Sequence, residues 1–200
     1  GGNKVGAIAG DLAAVEDMYA LKALMTSLGS GMTDCRPAMS GIDPSMPRSA
    51  YIFNPTIAGI EQADAILLVG TNPRREAAIV NARLRKRWRL GPLPIGVIGE
   101  NVDLTYPYAY LGAGAESLSH LASGGEFLDK LKAAARPLIV VGAGIAARPD
   151  GSAVLAAVAK LAQAVGAVAD GWNGLAVLQN AASRVGGLDI GFVPGEGGLT

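Results

Sequence analysis

The chain has 200 residues with 17 Lys and Arg, 17 Asp and Glu and one His, so its formal net charge is zero. Half of the residues are hydrophobic and 17% are charged, where an ordinary soluble domain carries about 25% charged residues. Such a chain is too apolar to be disordered, its single cysteine excludes a disulfide framework, and its neutrality argues against nucleic acid as the main partner. With 28 Gly and 35 Ala it is rich in small side chains, and low charge leaves less polar material to cover a surface. Part of that surface is therefore expected to be covered by further chain or by a partner.

In chain order, Lys4–Ala9 is a short β-like run. Asp11 is placed to cap a helix over Leu12–Leu28, with Glu16 and Asp17 at its positive end. Val15, Met18, Leu21, Met25 and Leu28 recur every three or four residues and make one face. Met32–Arg36 reads as a second short strand, and the proline-rich stretch from Pro37 to Pro55 as a long loop. Thr56–Gln62 reads as a short helix. Ala65–Val69 is a continuous apolar run of the kind that fills a buried parallel strand. A turn at Gly70–Pro73 leads to a helix over Arg74–Leu90, a strand at Ile95–Ile98, an edge strand at Tyr108–Leu111 and a short helix at Glu116–Ala122.

After Ser123-Gly124-Gly125 the pattern restarts with helix Glu126–Ala135, strand Pro137–Val141, loop Gly142–Gly151 and helix Ser152–Val165. Val154, Val158, Leu161 and Val165 form the buried stripe of that last helix. A weak helix is expected around Leu175–Arg184, followed by a glycine-rich tail. Strands alternating with helices predict an α/β layer structure with a mainly parallel sheet. A boundary is expected near Gly124, dividing residues 1–123 from a partial α/β unit over 124–200. The most apolar stretch, Ala153–Ala169, is interrupted by Lys160 and Gln163 and is periodic, so it reads as an amphipathic helix rather than a membrane span. Neither end shows a targeting pattern, and the chain is expected to be a piece of a longer one.

Few residues are equipped for chemistry. His120 is the only histidine and lies without a nucleophile-elbow pattern around it. Cys35 follows Asp34, a neighbour that disfavours a thiolate, and one Cys with one His cannot hold zinc or an iron–sulfur cluster. No catalytic or metal residue is expected. Gly142-Ala-Gly144-Ile-Ala-Ala147 follows a strand and matches the G-x-G-x-x-A pattern whose glycines let a backbone approach a pyrophosphate. Arg148–Gly151 separates it from the next helix, however, so a tight turn is the preferred reading and a nucleotide site the alternative. Gly70–Pro73 sits at the carboxyl end of a buried strand, where open α/β sheets bind ligands. Seven of the 17 basic residues fall in Arg74–Arg89, with Glu76 as the only acid among them. That cluster reads as a solvated or docking helix face in preference to a nucleic-acid site.

Four stretches together resemble the molybdopterin-dinucleotide oxidoreductase family, the formate dehydrogenase and dimethyl sulfoxide reductase relatives. They are Gly10–Lys22 with Leu28-Gly29 and Asp34-Cys35-Arg36, then Ala63–Pro73, Arg74–Trp88 and Asn180–Pro194. Arg74–Trp88 is the most specific, and it is similar to the branch of the family found in respiratory complex I. The resemblance implies a Rossmann-like three-layer parallel sheet of the third-domain type over 1–123, with 124–200 returning to the family's second domain. It places Thr71, Asn72, Gly142, Gly144, Asn180 and Asp189 around the cofactor pocket.

Two departures bear on that pocket. Relatives that bind the cofactor carry Asp-Pro-Arg after the next strand, where this chain has Gly99–Pro107, and Pro-Gly-Thr-Asp where it has Leu111–Ser117. Both departures fit the complex I branch, which implies a vestigial pocket with molybdopterin lost and iron–sulfur clusters held upstream in the parent subunit. The implied role is structural, with Arg74, Arg75, Arg83, Arg85, Arg87 and Trp88 docking other peripheral-arm subunits. The parent complex would pass electrons from NADH to quinone, on the cytoplasmic face of a bacterial inner membrane or the mitochondrial matrix side, touching membrane only through the complex. The alternative left open is a fragment of a working molybdopterin-dinucleotide oxidoreductase.

Overall fold

A computed structural model describes residues 4–36 and 41–195. The first elements are β1 (Ala7–Ile8), α1 (Val15–Ser27), β2 (Thr33–Asp34), β3 (Ala65–Val69), α2 (Pro73–Glu76), α3 (Ala78–Arg89), β4 (Ile95–Ile98) and β5 (Ala109–Gly112). They are followed by α4 (Ala115–Ser123), α5 (Glu126–Ala133), β6 (Pro137–Val141), α6 (Gly151–Ala164), β7 (Val168–Ala169), β8 (Trp172–Asn173), β9 (Leu175–Val177) and α7 (Arg184–Asp189). Single 3-10 turns lie at Arg48–Ala50, Gly59–Gln62 and Ala143–Ala147.

The main sheet has five parallel strands in the order β5-β4-β3-β6-β9. The chain enters at the centre on β3, steps outward to β4 and β5, and crosses back to continue on β6 and β9. Its direction of travel thus reverses between β3 and β6, and that reversal defines the switch point of a doubly wound sheet. β3 and β6 are in register from Ala65 with Pro137 to Val69 with Val141, so strands on either side of Gly124 pair directly.

All five residues of β3, and all five of β6, are buried. Successive side chains point to opposite faces of a strand, so each strand serves two cores. Leu67, Val69, Ile139, Val141 and Leu175 pack with Leu118 and Leu121 of α4, Leu131 of α5 and Val154, Val158 and Leu161 of α6. Ile66, Leu68, Ile95, Val97, Leu138 and Val140 pack with Val80 and Leu84 of α3 and with Tyr106. The result is three layers, in which each fully buried Leu or Ile stabilises by about 1.5–3 kcal/mol relative to exposure. The stripe expected on α6 is buried as drawn, with Val165 at its C-terminal cap.

Several elements differ from the sequence expectation. The helix expected over Leu175–Arg184 is instead β9, which pairs with β6, followed by a separate helix, α7. Leu175, Ala176 and Val177 are buried on both faces, and a three-residue apolar run closing a parallel sheet leaves no helical period to read. Gly174 makes the approach possible, since a Cβ there would lie 2.1 Å from the Pro137 carbonyl oxygen.

The helix expected over Arg74–Leu90 is broken at Ala77, whose φ of −147° and ψ of 63° are not helical. In an unbroken helix Glu76 would stand in line with Val80 and Leu84, four and eight residues on, and be carried onto the apolar face of the sheet. The break removes it from that line. Asp11 does not cap α1; Ala14 occupies that position without a side-chain bond, and the Asp11 carboxylate accepts from Arg184 Nη2 at 3.1 Å. Thr56 stands at φ 60° and its hydroxyl accepts the Gly59 N–H at 3.0 Å, so the helix expected at Thr56–Gln62 shrinks to a 3-10 turn. The expected loop Gly142–Gly151 contains the 3-10 turn Ala143–Ala147. Part of the Pro37–Pro55 loop, residues 37–40, and the end of the glycine-rich tail, residues 196–200, lie outside the described residues.

Beside the main sheet, β1 and β2 form a two-residue parallel pair. It is tied to α7, because the Ser183 hydroxyl donates to the Gly10 carbonyl at 2.9 Å. Arg184 is buried completely, and its Nε and Nη1 meet no acceptor among the described residues.

Candidate functional site

Thr71 and Asn72 follow β3 and Gly142 follows β6, so these three of the six pocket candidates lie at neighbouring carboxyl ends of the sheet. Gly70 follows β3 at φ 57°, a left-handed conformation that costs a residue with a Cβ roughly 1–2 kcal/mol. Gly142 follows β6, and its N–H donates to the Val69 carbonyl at 2.9 Å. A Cβ on Gly142 would lie 2.1 Å from the Gly70 carbonyl oxygen, so only glycine lets the two turns meet. Thr71 is buried at 5% exposure.

The sequence reading did not assign the group that occupies this meeting point. The Thr71 hydroxyl donates to Glu76 Oε1, and the Ala143 N–H reaches Glu76 Oε2 at 3.3 Å. The same Oε1 stands 3.0 Å from where a Gly142 Cβ would be. A carboxylate of the chain itself therefore lies across both turns. On the opposite face Ile145 closes over Gly70, with its Cδ1 only 2.4 Å from an ideal Gly70 Cβ. The space left among Val69, Gly70, Ile98, Gly114, Ile145 and Arg148 is about 30 Å³, a small cavity. The phosphates of a dinucleotide do not fit this cradle, because its donors already face a negative charge and its upper space is filled by Ile145.

The remaining pocket candidates are scattered. Gly144 is exposed and a Cβ there would meet nothing within 4 Å, so no close approach calls for this glycine. Asn180 is exposed beyond the carboxyl end of β9. Asp189, at the end of α7, accepts from Arg48 Nε at 2.9 Å and from the Tyr51 hydroxyl at 3.1 Å. Burial, and then that bond, push the Tyr51 hydroxyl above its usual pKa. Two buried acceptors near the carboxyl edge of the sheet, Asn72 Oδ1 and Gln179 Oε1, meet no donor among the described residues.

The basic cluster divides by what each residue touches. Arg83 and Lys86 both donate to Glu61, and these bonds, Lys86's first, hold its carboxyl below the usual range. Arg87 Nε donates to the Ala63 carbonyl at 2.7 Å, Arg74 pairs with Asp103 at 2.9 Å, and Trp88 packs partly buried against the core on the α3 side. Arg83, Lys86, Arg87 and Trp88 fasten α3 to the domain, and Arg74 fastens α2. Arg75, Arg85 and Arg89 are exposed and make no ion pair among the described residues. Arg85 and Arg89 flank an open depression with Ala82, Lys86 and Leu90, and Leu90 and Ile79 are 70% and 67% exposed.

The other reactive groups stand apart. Cys35 is buried, and burial followed by the Asp34 charge pushes its thiol above the ordinary value. His120 is exposed on α4. Among the described residues no three His, Cys, Asp or Glu side chains gather as a metal site, and no helix is long and apolar enough to cross a membrane.

All of residues 1–200 match the family model described as molybdopterin oxidoreductase. The chain is 44% identical over 199 residues to the mitochondrial 78 kDa subunit of NADH-ubiquinone oxidoreductase from Neurospora crassa, covering 96% of this chain and 26% of that protein. It is 43% identical over 190 residues to an NADH-quinone oxidoreductase subunit of Rickettsia conorii, covering 94% and 28%. It is also 43% identical over 189 residues to the mitochondrial NADH dehydrogenase (ubiquinone) iron-sulfur protein 1 of Solanum tuberosum, covering 94% and 25%. The chain thus spans about a quarter of the length of these curated relatives. Among solved structures, a chain of the formyltransferase/hydrolase complex from Methylorubrum extorquens superposes with a TM-score of 0.60 at 18% identity, over 95% of this chain and 59% of that one. That likeness supports the fold alone.

Proposed function

We propose, from the premise that this chain belongs to the molybdopterin oxidoreductase family, that it is a non-catalytic docking region of a complex I large iron–sulfur subunit. In this reading the parent complex carries electrons from NADH to quinone through clusters held elsewhere in the subunit. This region braces the cluster-bearing part and binds neighbouring peripheral-arm subunits. It meets the membrane only through the complex. One observation carries the reading: at the switch point between β3 and β6, where a sheet of this kind would hold a ligand, the donors on the two turns are taken by the rim carboxylate of Glu76 and Ile145 covers Gly70.

The docking surface we assign is the outer face of α3. Ala82, Arg85 and Arg89 share that face at helical spacing, beside the exposed Ile79 and Leu90. Unpaired guanidinium groups next to apolar side chains suit an acidic partner surface, since Arg and apolar groups combine at interface cores. Arg83, Arg87 and Trp88 contribute by holding α3 in place, and Arg74 by holding α2 before it.

The second reading, a piece of an active molybdopterin-dinucleotide oxidoreductase, draws on Asn72 Oδ1 and Gln179 Oε1, acceptors without a donor among the described residues. Metal analysis of the intact protein, purified with its partners, separates the two. The docking reading expects no stoichiometric molybdenum or tungsten and no calorimetric binding of a pterin dinucleotide; one metal per chain would establish the second.

A further inference from the structure

Glu76 is the only acid in the sixteen residues from Arg74 to Arg89; it stands exposed at the rim of the crevice, and its carboxylate reaches the buried Thr71 and Ala143. Its position depends on two departures from regular structure. The chain breaks at Ala77, which takes residue 76 out of the apolar stripe of α3. Gly142 has no Cβ, and an added one would meet the Gly70 carbonyl oxygen at 2.1 Å and the carboxylate at 3.0 Å. The carboxylate takes the hydroxyl of a buried threonine on one turn and a backbone N–H on the other. A hydroxyl and an N–H at the end of a parallel strand are the donors that commonly receive a phosphate oxygen.

We propose that Glu76 is a built-in anion: it takes the place of a phosphate at the switch point and locks the turn after β3 to the turn after β6. The two carboxylate oxygens satisfy donors that would otherwise be left desolvated between the turns, and their charge repels any oxyanion that approaches the same donors. Glu76 is thus a positioning residue with two effects, closing the crevice and excluding anions. The inference concerns how the cradle is closed and stands whether or not α3 docks a partner.

Local hydrogen exchange in the intact protein tests it, with inorganic pyrophosphate as the probe. Peptides covering Gly70–Glu76 and Gly142–Ala147 are compared in the wild type, Glu76→Ala and Glu76→Gln. Glu76→Ala is expected to speed exchange in both peptides by about three- to tenfold, the effect of losing bonds to a charged acceptor. Pyrophosphate at millimolar concentration is then expected to restore protection in Glu76→Ala and to leave the wild type unchanged. Glu76→Gln keeps the shape and an acceptor for Thr71 but loses the charge, and it guards against a variant that folds poorly. It is expected to respond to pyrophosphate as Glu76→Ala does. Unchanged exchange in both variants would show that the carboxylate locks nothing. Faster exchange that pyrophosphate does not reverse, or a wild type that responds as the variants do, would refute the anion-surrogate role.

Discussion

The carboxyl edge of the main sheet and the outer face of α3 lie one loop apart in the chain and are built on opposite rules. At the sheet edge the buried donors Thr71 and Ala143 are met by the carboxylate of Glu76, which stands exposed at the rim. On α3 the charges of Arg85 and Arg89 face outward with no ion partner among the described residues. The donors Thr71 and Ala143 already have an acceptor, while Asn72 Oδ1 and Gln179 Oε1 at the same edge meet no donor among the described residues; an unpaired charge beside exposed Ile79 and Leu90 likewise has free energy still to gain from a partner. The contrast is why we propose the helix surface, rather than the cleft, as the place where this region works.

The sharpest way to break the comparison is at the glycines. Gly142→Ala places a Cβ against backbone that cannot yield, so it is expected to destabilise by about 3 kcal/mol or more. Gly144→Ala meets open space and is expected to change stability by less than about 1 kcal/mol, with stabilisation the favoured sign because the unfolded chain loses freedom. Chemical denaturation of both variants in the intact protein reads the difference. Equal damage from the two would mean that Gly144 is as closely packed as Gly142 and that the contrast between the two glycines fails.

The α3 face is probed by reversing charge. Arg85→Glu with Arg89→Glu is expected to leave folding stability within about 0.5 kcal/mol, as exposed residues without partners do. Association with the neighbouring subunit is expected to weaken by about tenfold or more, most strongly at low salt. Pull-down or calorimetric titration across a salt series measures this. Normal assembly of the double variant would move the docking surface elsewhere.

These two regions also differ in how far the sequence disclosed them. The apolar runs Ala65–Val69 and Pro137–Val141 announce buried parallel strands because both faces of each are covered, and both stand in the structure as read. Leu175–Val177 was hidden because three residues carry no period, and only the open edge of β6 makes them a strand. Thr71, Asn72 and Gly142 were legible through family resemblance, whereas Glu76 and Ile145 were not. A lone acid among seven bases was visible in Arg74–Arg89, yet its direction depends on the break at Ala77, which no local breaker residue marks. The basic cluster was legible as a cluster, but Glu61 and the Ala63 carbonyl, which claim Arg83, Lys86 and Arg87, come from more than twenty residues away.

On the inward side of α3, the Tyr106 hydroxyl donates to Asn81 Oδ1 at 2.8 Å inside the core, and burial pushes the pKa of that hydroxyl far up. Tyr106→Phe leaves a buried amide oxygen without its donor and is expected to cost about 1–2 kcal/mol. Denaturation again provides the measure; a neutral result would mean that water reaches Asn81 and that α3 is less firmly seated than its packing implies.

The smallest effect tests the anchoring of α3 by pH. Bonds from Lys86 and Arg83 hold the Glu61 carboxyl below its ordinary value of about 4.5. A depressed pKa in the folded state means that the folded chain holds its proton less tightly than the unfolded chain, so stability rises with pH over the window between the two values. The contribution is complete above about pH 4.5 and is lost as pH falls through the lower, folded value. Glu61→Gln removes the titrating group, so its stability is expected to fall less steeply than the wild type's on acidification through that window. Denaturant midpoints collected across acidic pH give the two slopes. Parallel slopes would show that Arg83 and Lys86 do not depend on Glu61 for their positions, and would free both for the outward-facing charge that Arg85 and Arg89 now carry alone.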